Sequence, residues 1–245
     1  MKRIAAVTFD LWDTLIQEYP GGSDRVAQLR VSKIASILEA RGLPHSHSEI
    51  RAAYEKTGSF LQLTWSKRKD MSIIDQILFM LSGIDDKLAG KLSQAEYTAV
   101  EHAYVESILD HPPRLLPHAK EALEAVRRKE FRIGLISNTG RTPGSMLRVV
   151  MDKIGILDLF DATVFSNEIL VRKPAEGAFR ATLDKLKVVP KAAVHIGDDA
   201  ISDIGGAKKV GMRAIQVLRE GMPRSPLADA HVRSLEDIVA SIEGL

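Results

Sequence analysis

The 245-residue sequence contains no cysteine. That excludes a disulfide framework and any thiolate nucleophile or metal ligand, and it suits a reducing compartment. An excess of charge is missing as well. The 34 basic and 32 acidic residues leave a formal +2, so the balance calls for no polyanionic partner such as nucleic acid. Long apolar runs are also lacking. Met1–Phe9 opens with two cations, but its apolar stretch meets Asp10 within one strand length, too short for a leader-peptide core or a membrane span. No internal repeat and no phosphate-cradling glycine loop is found; Gly205-Gly206 fits close helix–sheet packing instead. The expectation is a cytoplasmic protein with neither membrane nor nucleic-acid partners. Its length allows one sizeable core and a smaller companion.

What is present falls into two patterns. Ile4–Phe9, Phe131–Ile136 and Ala192–Ile196 are short apolar runs without alternation, as in parallel strands covered on both faces. Ala162–Phe165 and Arg213–Leu218 add a fourth and a fifth. Helix signals lie between them. Pro117 precedes one, as a Pro at the first helical position, and Thr142-Pro143 precedes another, with Thr as cap and a stripe of Met146, Val150 and Ile154. This alternation predicts an α/β fold built on a doubly wound parallel sheet. Residues 23–110 carry only helical stripes: Ala27, Val31, Ile34 and Leu38; Ile50, Tyr54, Thr57, Leu61 and Trp65; Ile74, Ile77, Leu78 and Leu81; Tyr97, Val100, Tyr104 and Ile108. Four amphipathic helices in a row predict an inserted helical bundle. Pro20-Gly21-Gly22 and His111-Pro112-Pro113 flank it as breaker clusters suited to hinges. The expected division is a core of residues 1–19 and 111–245 and a helical-bundle cap domain of residues 20–110.

In an open α/β sheet ligands bind beyond the carboxyl ends of the strands. The residues following each apolar run are Asp10, then Ser137-Asn138-Thr139, then Arg172-Lys173-Pro174, then Gly197-Asp198-Asp199 with Asp203 close behind. Each has an ordinary reading alone, since Asp, Ser and Asn favour caps and turns. Together, in chain order, they suit phosphoryl transfer through an aspartyl intermediate. A carboxylate attacks phosphorus once charge repulsion is removed. Oxygen-rich clusters at Asp10 and Asp198 suit Mg2+. The Ser137 hydroxyl can hold a phosphoryl oxygen, and the Lys173 ammonium can offset negative charge.

Asp10-Leu-Trp-Asp-Thr-Leu15, Ser137-Asn138, Lys173-Pro174 and Gly197-Asp-Asp-Ala-Ile-Ser-Asp203 resemble the four ordered motifs of the haloacid dehalogenase-like hydrolase superfamily. The likeness spans essentially the whole chain, including a helical cap inserted after the first motif on a Rossmann-like core. The resemblance implies a phosphatase acting on a small-molecule phosphate ester with Mg2+ as cofactor. It implies Asp10 as nucleophile and metal ligand, Asp198 as second ligand and the Trp12 carbonyl as a third. Ser137 would bind the transferring group and Lys173 would balance charge, with Asp199 and Asp203 behind the metal and the lysine. Trp12, Asp13, Thr14, Asn138 and Thr139 fall at positions that meet the substrate.

One position departs from the pattern. Phosphatases of this superfamily usually carry a second Asp two residues after the nucleophile as general acid and base; here it is Trp12, followed by Asp13 in place of Gly. An indole N–H cannot supply that proton, and loss of such a group costs on the order of 10²–10⁴-fold. Three readings follow. One is a phosphohydrolase whose leaving group needs no proton or takes it elsewhere. Another is a metal-independent 2-haloacid dehalogenase-type hydrolase, which resembles this chain in its aromatic residue but lacks the Gly-Asp-Asp. The third is a non-enzymatic phospho-acceptor or binding module, against which the inserted bundle counts. Trp12, Tyr19, Arg25 and Trp65 are candidates for lining the cleft, and Arg141 stands where it can reach a phosphate or carboxylate. His45-Ser46-His47 reads as a solvent-facing helix start, and His195 as a core histidine.

Overall fold

The computed structural model describes residues 4–245, so the first three residues of the expected core segment lie outside it. The chain starts with β1 (Ala6–Phe9) and, after a tight turn, β2 (Ile16–Gln17). Five helices follow: α1 (Gly22–Ala40), α2 (His47–Ser66), α3 (Ile73–Ile84), the single turn α4 (Leu88–Lys91) and α5 (Gln94–Glu106). β3 (Arg114–Leu115) returns the chain toward the sheet. Then come α6 (Ala119–Arg128), β4 (Arg132–Ser137), α7 (Gly144–Lys153), β5 (Ala162–Phe165), the turn α8 (Ser166–Ile169) and α9 (Glu176–Leu186). The last elements are β6 (Ala193–Gly197), α10 (Gly206–Val210), β7 (Arg213–Val217), β8 (Ala230–Val232) and α11 (Ile238–Glu243). No helix among the described residues is long and apolar enough to cross a membrane.

Six strands form one sheet in the order β5-β4-β1-β6-β7-β8, and every neighbouring pair is parallel. Successive residues on a strand face opposite sides. Val7 and Phe9 therefore join a core with α6, α7 and α11, while Ala6 packs with α9 and α10 on the other face. Burial on both faces explains the unbroken apolar runs. The chain steps from β1 to β4 and β5, then crosses back to lay β6 on the other side of β1. The strand order thus reverses between β1 and β6, where such sheets open a crevice.

The helical insert has an apolar cluster of its own, drawn wholly from residues 27 to 104. Serine caps start three of its helices. Ser46 with Glu49 and Ser93 with Glu96 form capping boxes, and Ser72 accepts from the Asp75 N–H; these satisfy otherwise orphaned N–H groups. His45-Ser46-His47 is thereby a helix start, as expected.

Several local expectations change. The insert has five helices, α4 being one short turn. On α3 the inward face is Ile73, Ile77, Met80 and Leu81, whereas Ile74 and Leu78 are exposed; a helix apolar on nearly every side carries no pattern that selects its face. Pro117 precedes α6 without starting it, because His118 turns left-handed at φ 62° before Ala119. Thr142 does not cap α7; its hydroxyl accepts from the Arg30 guanidinium at 2.9 Å. β8 was not anticipated, being only three residues at the sheet edge, of which Val232 alone is buried. Nor was the antiparallel pairing of β2 with β3, Ile16 opposite Leu115 and Gln17 opposite Arg114. That two-rung ladder joins the two crossings between insert and sheet.

Candidate active site

Asp10 ends β1 directly at the strand-order reversal, its N–H donating to the Ile196 carbonyl of β6 at 2.9 Å. Its carboxylate is buried. Lys173 Nζ donates to Asp10 Oδ1 at 2.5 Å and to Asp203 Oδ1 at 2.6 Å. Both ion pairs are almost fully shielded from solvent, so neither side chain can reorient cheaply.

The lysine is fixed by its own backbone. Asn138 accepts from Lys173 N–H through Oδ1 at 2.8 Å and donates from Nδ2 to the Lys173 carbonyl at 3.1 Å. The Lys173-Pro174 peptide beside it is cis. Asp203 also accepts from the Asp199 N–H at 3.0 Å and meets His195 Nε2 at 3.2 Å. It sits on a π-helical turn, Ala200–Gly205, that runs into α10. Gly197 is required for this approach, because a Cβ there would lie 2.4 Å from the Asp203 carboxyl carbon. Gly206 of α10 likewise lets Phe179 of α9 within 2.5 Å of where its Cβ would be, so the close approach there is helix to helix and not the helix–sheet packing expected. His195 is buried and shared between Thr8 at 2.8 Å and Asp203.

Three carboxylates, Asp10, Asp198 and Asp203, bring oxygens within 4.8 Å of one another. Burial first, then the neighbouring Asp203 and Asp198 charges, push Asp10 up to about 7 in spite of Lys173. Burial and Asp203 push Asp198 up to about 6, with Arg219 opposing. Burial acts to raise Asp203 too, but Lys173 and His195 outweigh it and hold that carboxyl well below the usual range. Burial lowers the basicity of His195, which favours the neutral ring.

Asp203 is saturated by Lys173, His195 and a backbone N–H. Among the described residues Asp10 Oδ2 has only Thr14, at 3.4 Å. Asp198 Oδ2 accepts from Arg219 at 2.6 Å, and among the described residues no donor meets its Oδ1. Under-coordinated hard oxygens on two facing carboxylates, with excess negative charge between them, fit a divalent cation such as Mg2+. Asp10 and Asp198 are the groups that could hold it.

Other predicted residues separate from this cluster. Ser137 is buried at the end of β4, and its hydroxyl makes one long contact, 3.5 Å to the Asn138 carbonyl. Asn138 and Thr139, expected to meet substrate, point their groups inward. Asn138 holds the lysine backbone, while Thr139 bonds Ser166 at 2.8 Å through its N–H and Asp70 at 3.4 Å through its hydroxyl. The reason is burial: on a covered loop each polar group must find a partner. Asp13 turns left-handed at φ 61° and pairs with Arg219 at 2.6 Å. The Asp199 side chain is an exposed cap accepting from the Ile201 N–H at 3.0 Å, and only its backbone reaches Asp203. Trp12 is half-buried and faces a cavity of about 480 Å³ beneath the helical insert, where Tyr19, Arg25 and Trp65 also stand.

Sequence reasoning missed three groups. Arg219 follows β7, so the strand-end rule that selected Asp10 and Asp198 would have found it. Asp70, in the α2–α3 connection, is buried and accepts from Arg172 Nη1 at 2.9 Å and Trp65 Nε1 at 3.0 Å. Arg30 on α1 is buried and donates to Tyr104 carbonyl at 2.6 Å, Tyr54 hydroxyl at 3.0 Å and Thr142. Nothing local distinguishes those two from surface charges.

A four-motif set on the strand ends of such a sheet is matched at the level of the whole family. A model described as haloacid dehalogenase-like hydrolase matches residues 4–211, and the chain belongs to that family of hydrolases. Among particular relatives, it is 28% identical over 250 residues to haloacid dehalogenase-like hydrolase domain-containing protein 3 of Xenopus laevis, covering 98% of this chain and 96% of the relative. It is 27% identical to glyceraldehyde 3-phosphate phosphatase of Methanothermobacter thermautotrophicus over 89% of this chain and 87% of the relative. The fold matches a crystal structure of a 2-haloacid dehalogenase from Pseudomonas syringae with a TM-score of 0.70, 23% identity and coverage of 98% and 99%.

Proposed function

We propose that the chain is a Mg2+-dependent phosphohydrolase of a small phosphate ester, with Asp10 as nucleophile and the helical insert as its cap, working in the cytoplasm. The observation that carries this reading is Lys173 Nζ held between Asp10 and Asp203, at 2.5 and 2.6 Å, with oxygens of Asp10, Asp198 and Asp203 within 4.8 Å of one another. The Asp10 carboxylate attacks phosphorus, a P–O bond to Asp10 forms as the ester P–O bond breaks, and the organic oxygen departs. Lys173 offsets charge on the phosphoryl group without leaving its seat. The Ser137 hydroxyl, otherwise nearly unbonded, donates to a phosphoryl oxygen. Water then cleaves the aspartyl-phosphate and restores the carboxylate. Mg2+, held by Asp10, Asp198 and, by the family pattern, the Trp12 carbonyl, would supply the positive charge that lets an anionic phosphate approach a carboxylate.

Trp12 offers the leaving oxygen no proton, and Asp13 is engaged by Arg219. Turnover therefore favours esters whose alcohol leaves as a stable anion, aryl and acyl phosphates above simple alkyl phosphates. The test is hydrolysis of p-nitrophenyl phosphate with and without Mg2+ on the wild type and Asp10→Asn. Metal-dependent turnover that disappears in the variant supports the reading. Chloride release from 2-chloropropionate without metal would replace it with the dehalogenase reading, which the aromatic Trp12 favours and the Asp10, Asp198 and Asp203 cluster opposes.

A further inference from the structure

The 480 Å³ cavity under the insert is lined by three arginines, Arg25, Arg30 and Arg141, against two acids, Glu18 and Asp110. Arg141 leaves the loop after β4 and reaches into the helical insert, its guanidinium carbon 3.4 Å from the centre of the Tyr54 ring. Its Nη1 is buried and, among the described residues, has no hydrogen-bond partner. α2 is shaped to receive it: at Gly58 a Cβ would lie 2.2 Å from Arg141 Nη2. A glycine within a helix costs about 1 kcal/mol relative to alanine, so its presence at this contact has a steric reason. Beside it, Arg30 is buried and bonds only neutral oxygens. Of the wall's two carboxylates, Asp110 pairs with Lys33 at 2.7 Å and Glu18 accepts from the neighbouring Ser23 hydroxyl, and neither is bonded to Arg30 or Arg141. A buried Arg30 bonded only to neutral oxygens, beside a part-buried Arg141 with a buried unbonded N–H group, is costly unless an anion completes them.

We infer that the substrate carries a second oxyanion, a carboxylate or a second phosphate, on an organic body flanked by Trp12 and Tyr54, and that Arg141 binds this group while Arg30 adds to the field. This rests on the phosphohydrolase reading for the reaction but not for the binding. Trp12 belongs to both the first-motif turn and the cavity wall, so one molecule can present its ester to Asp10 and its second anion to Arg141. A planar guanidinium with a free edge suits either oxyanion.

The experiment compares phenyl phosphates substituted at the 4-position with carboxylate, with phosphate and with the neutral carboxamide. The wild type should favour the two anionic esters over the carboxamide by about ten-fold or more in kcat/KM, mainly through KM. That ratio should collapse toward one in Arg141→Met and be partly kept in Arg141→Lys. Gly58→Ala, which displaces the guanidinium without removing it, should lower the ratio too and covers the case of a poorly folded Arg141 variant. Equal use of anionic and neutral esters by the wild type, or an unchanged ratio in both Arg141→Met and Gly58→Ala, overturns the inference. Thermal shifts with 4-carboxybenzylphosphonate and its carboxamide, in Mg2+, read binding without turnover. Discrimination there without hydrolysis of any ester removes the phosphohydrolase reading and leaves the second-anion site standing. No discrimination there removes the site.

Discussion

The cluster at the strand ends and the cavity under the helical insert lie on either side of Trp12, yet they are built on opposite plans. At the strand ends Lys173 answers Asp10 and Asp203, Asn138 anchors the lysine backbone, and His195 and Asp199 N–H complete Asp203. Negative charge is in excess there. In the cavity the excess is positive, and Arg141 Nη1 is left without a partner. A phosphate ester with a second anion would complete the guanidiniums, and a divalent cation would complete the carboxylates. The first region belongs to the sheet and suits a fixed reaction. The second lies on the seam between sheet and insert, and it suits selection of what is reacted.

The largest effect that would break this contrast comes from Asp10→Asn. Phosphatase turnover should fall on the order of 10³-fold or more. The same variant should be the more stable protein without metal. Asp10 is raised from 3.8 to about 7, so the stability its carboxyl contributes below the unfolded value is lost as pH rises through 7. Removing the charge should therefore gain on the order of 2–4 kcal/mol at pH 8 and less at pH 5. Melting curves at the two pH values check this, and equal gains at both would show that Asp10 is not a strained carboxylate.

Trp12→Asp sharpens the boundary between the regions. Supplying a proton donor should raise hydrolysis of simple alkyl phosphates by on the order of 10²-fold and narrow the gap between aryl and alkyl esters. If the gap stays as it was, another acid already serves the leaving group. The seam itself is probed by Asp70→Asn, which leaves Arg172 buried without its carboxylate. A loss of about 2 kcal/mol is expected, with hydrogen exchange rising first at the α2–α3 connection; unchanged exchange there would mean that the seam does not depend on this pair.

The smallest effect is a proton count. Asp10 at about 7 and Asp198 at about 6 must both ionise to hold a metal. Mg2+ should therefore bind more weakly at pH 6 and release between about one and two protons there, against almost none at pH 8.5. Calorimetry in buffers of different ionisation enthalpy reads this directly, and release that does not vary with pH would separate the cation from these carboxylates.

The strand ends were legible because each combines two local signals, an apolar run buried on both faces and a change to a polar residue where it stops. Asp10, Ser137 and Asp198 were found in that way. The direction of each polar side chain was not legible. Asn138 turns to a lysine 35 residues away, Thr139 to Asp70 in the insert, and Asp13 to Arg219 across 206 residues. In the insert the stripes of α1 and α2 predicted their buried faces, whereas α3, apolar nearly all round, did not. The two-residue strands β2 and β3 are too short to carry any period.

Local order alone was enough to determine a parallel sheet with a helical insertion and a row of acid, hydroxyl and lysine groups along one edge. Hydrophobic period and chain direction act over a few residues, and the carboxyl ends of parallel strands necessarily face the same way. Only the folded chain decided which of those groups meet, that Lys173 joins Asp10 to Asp203, and that Arg141 and Arg30 share a cavity in which, among the described residues, neither is bonded to a carboxylate. The pairing of Lys173 with Asp10 alone spans 163 residues. Such pairings depend on how burial forces each polar group to find its partner, and no local pattern records that.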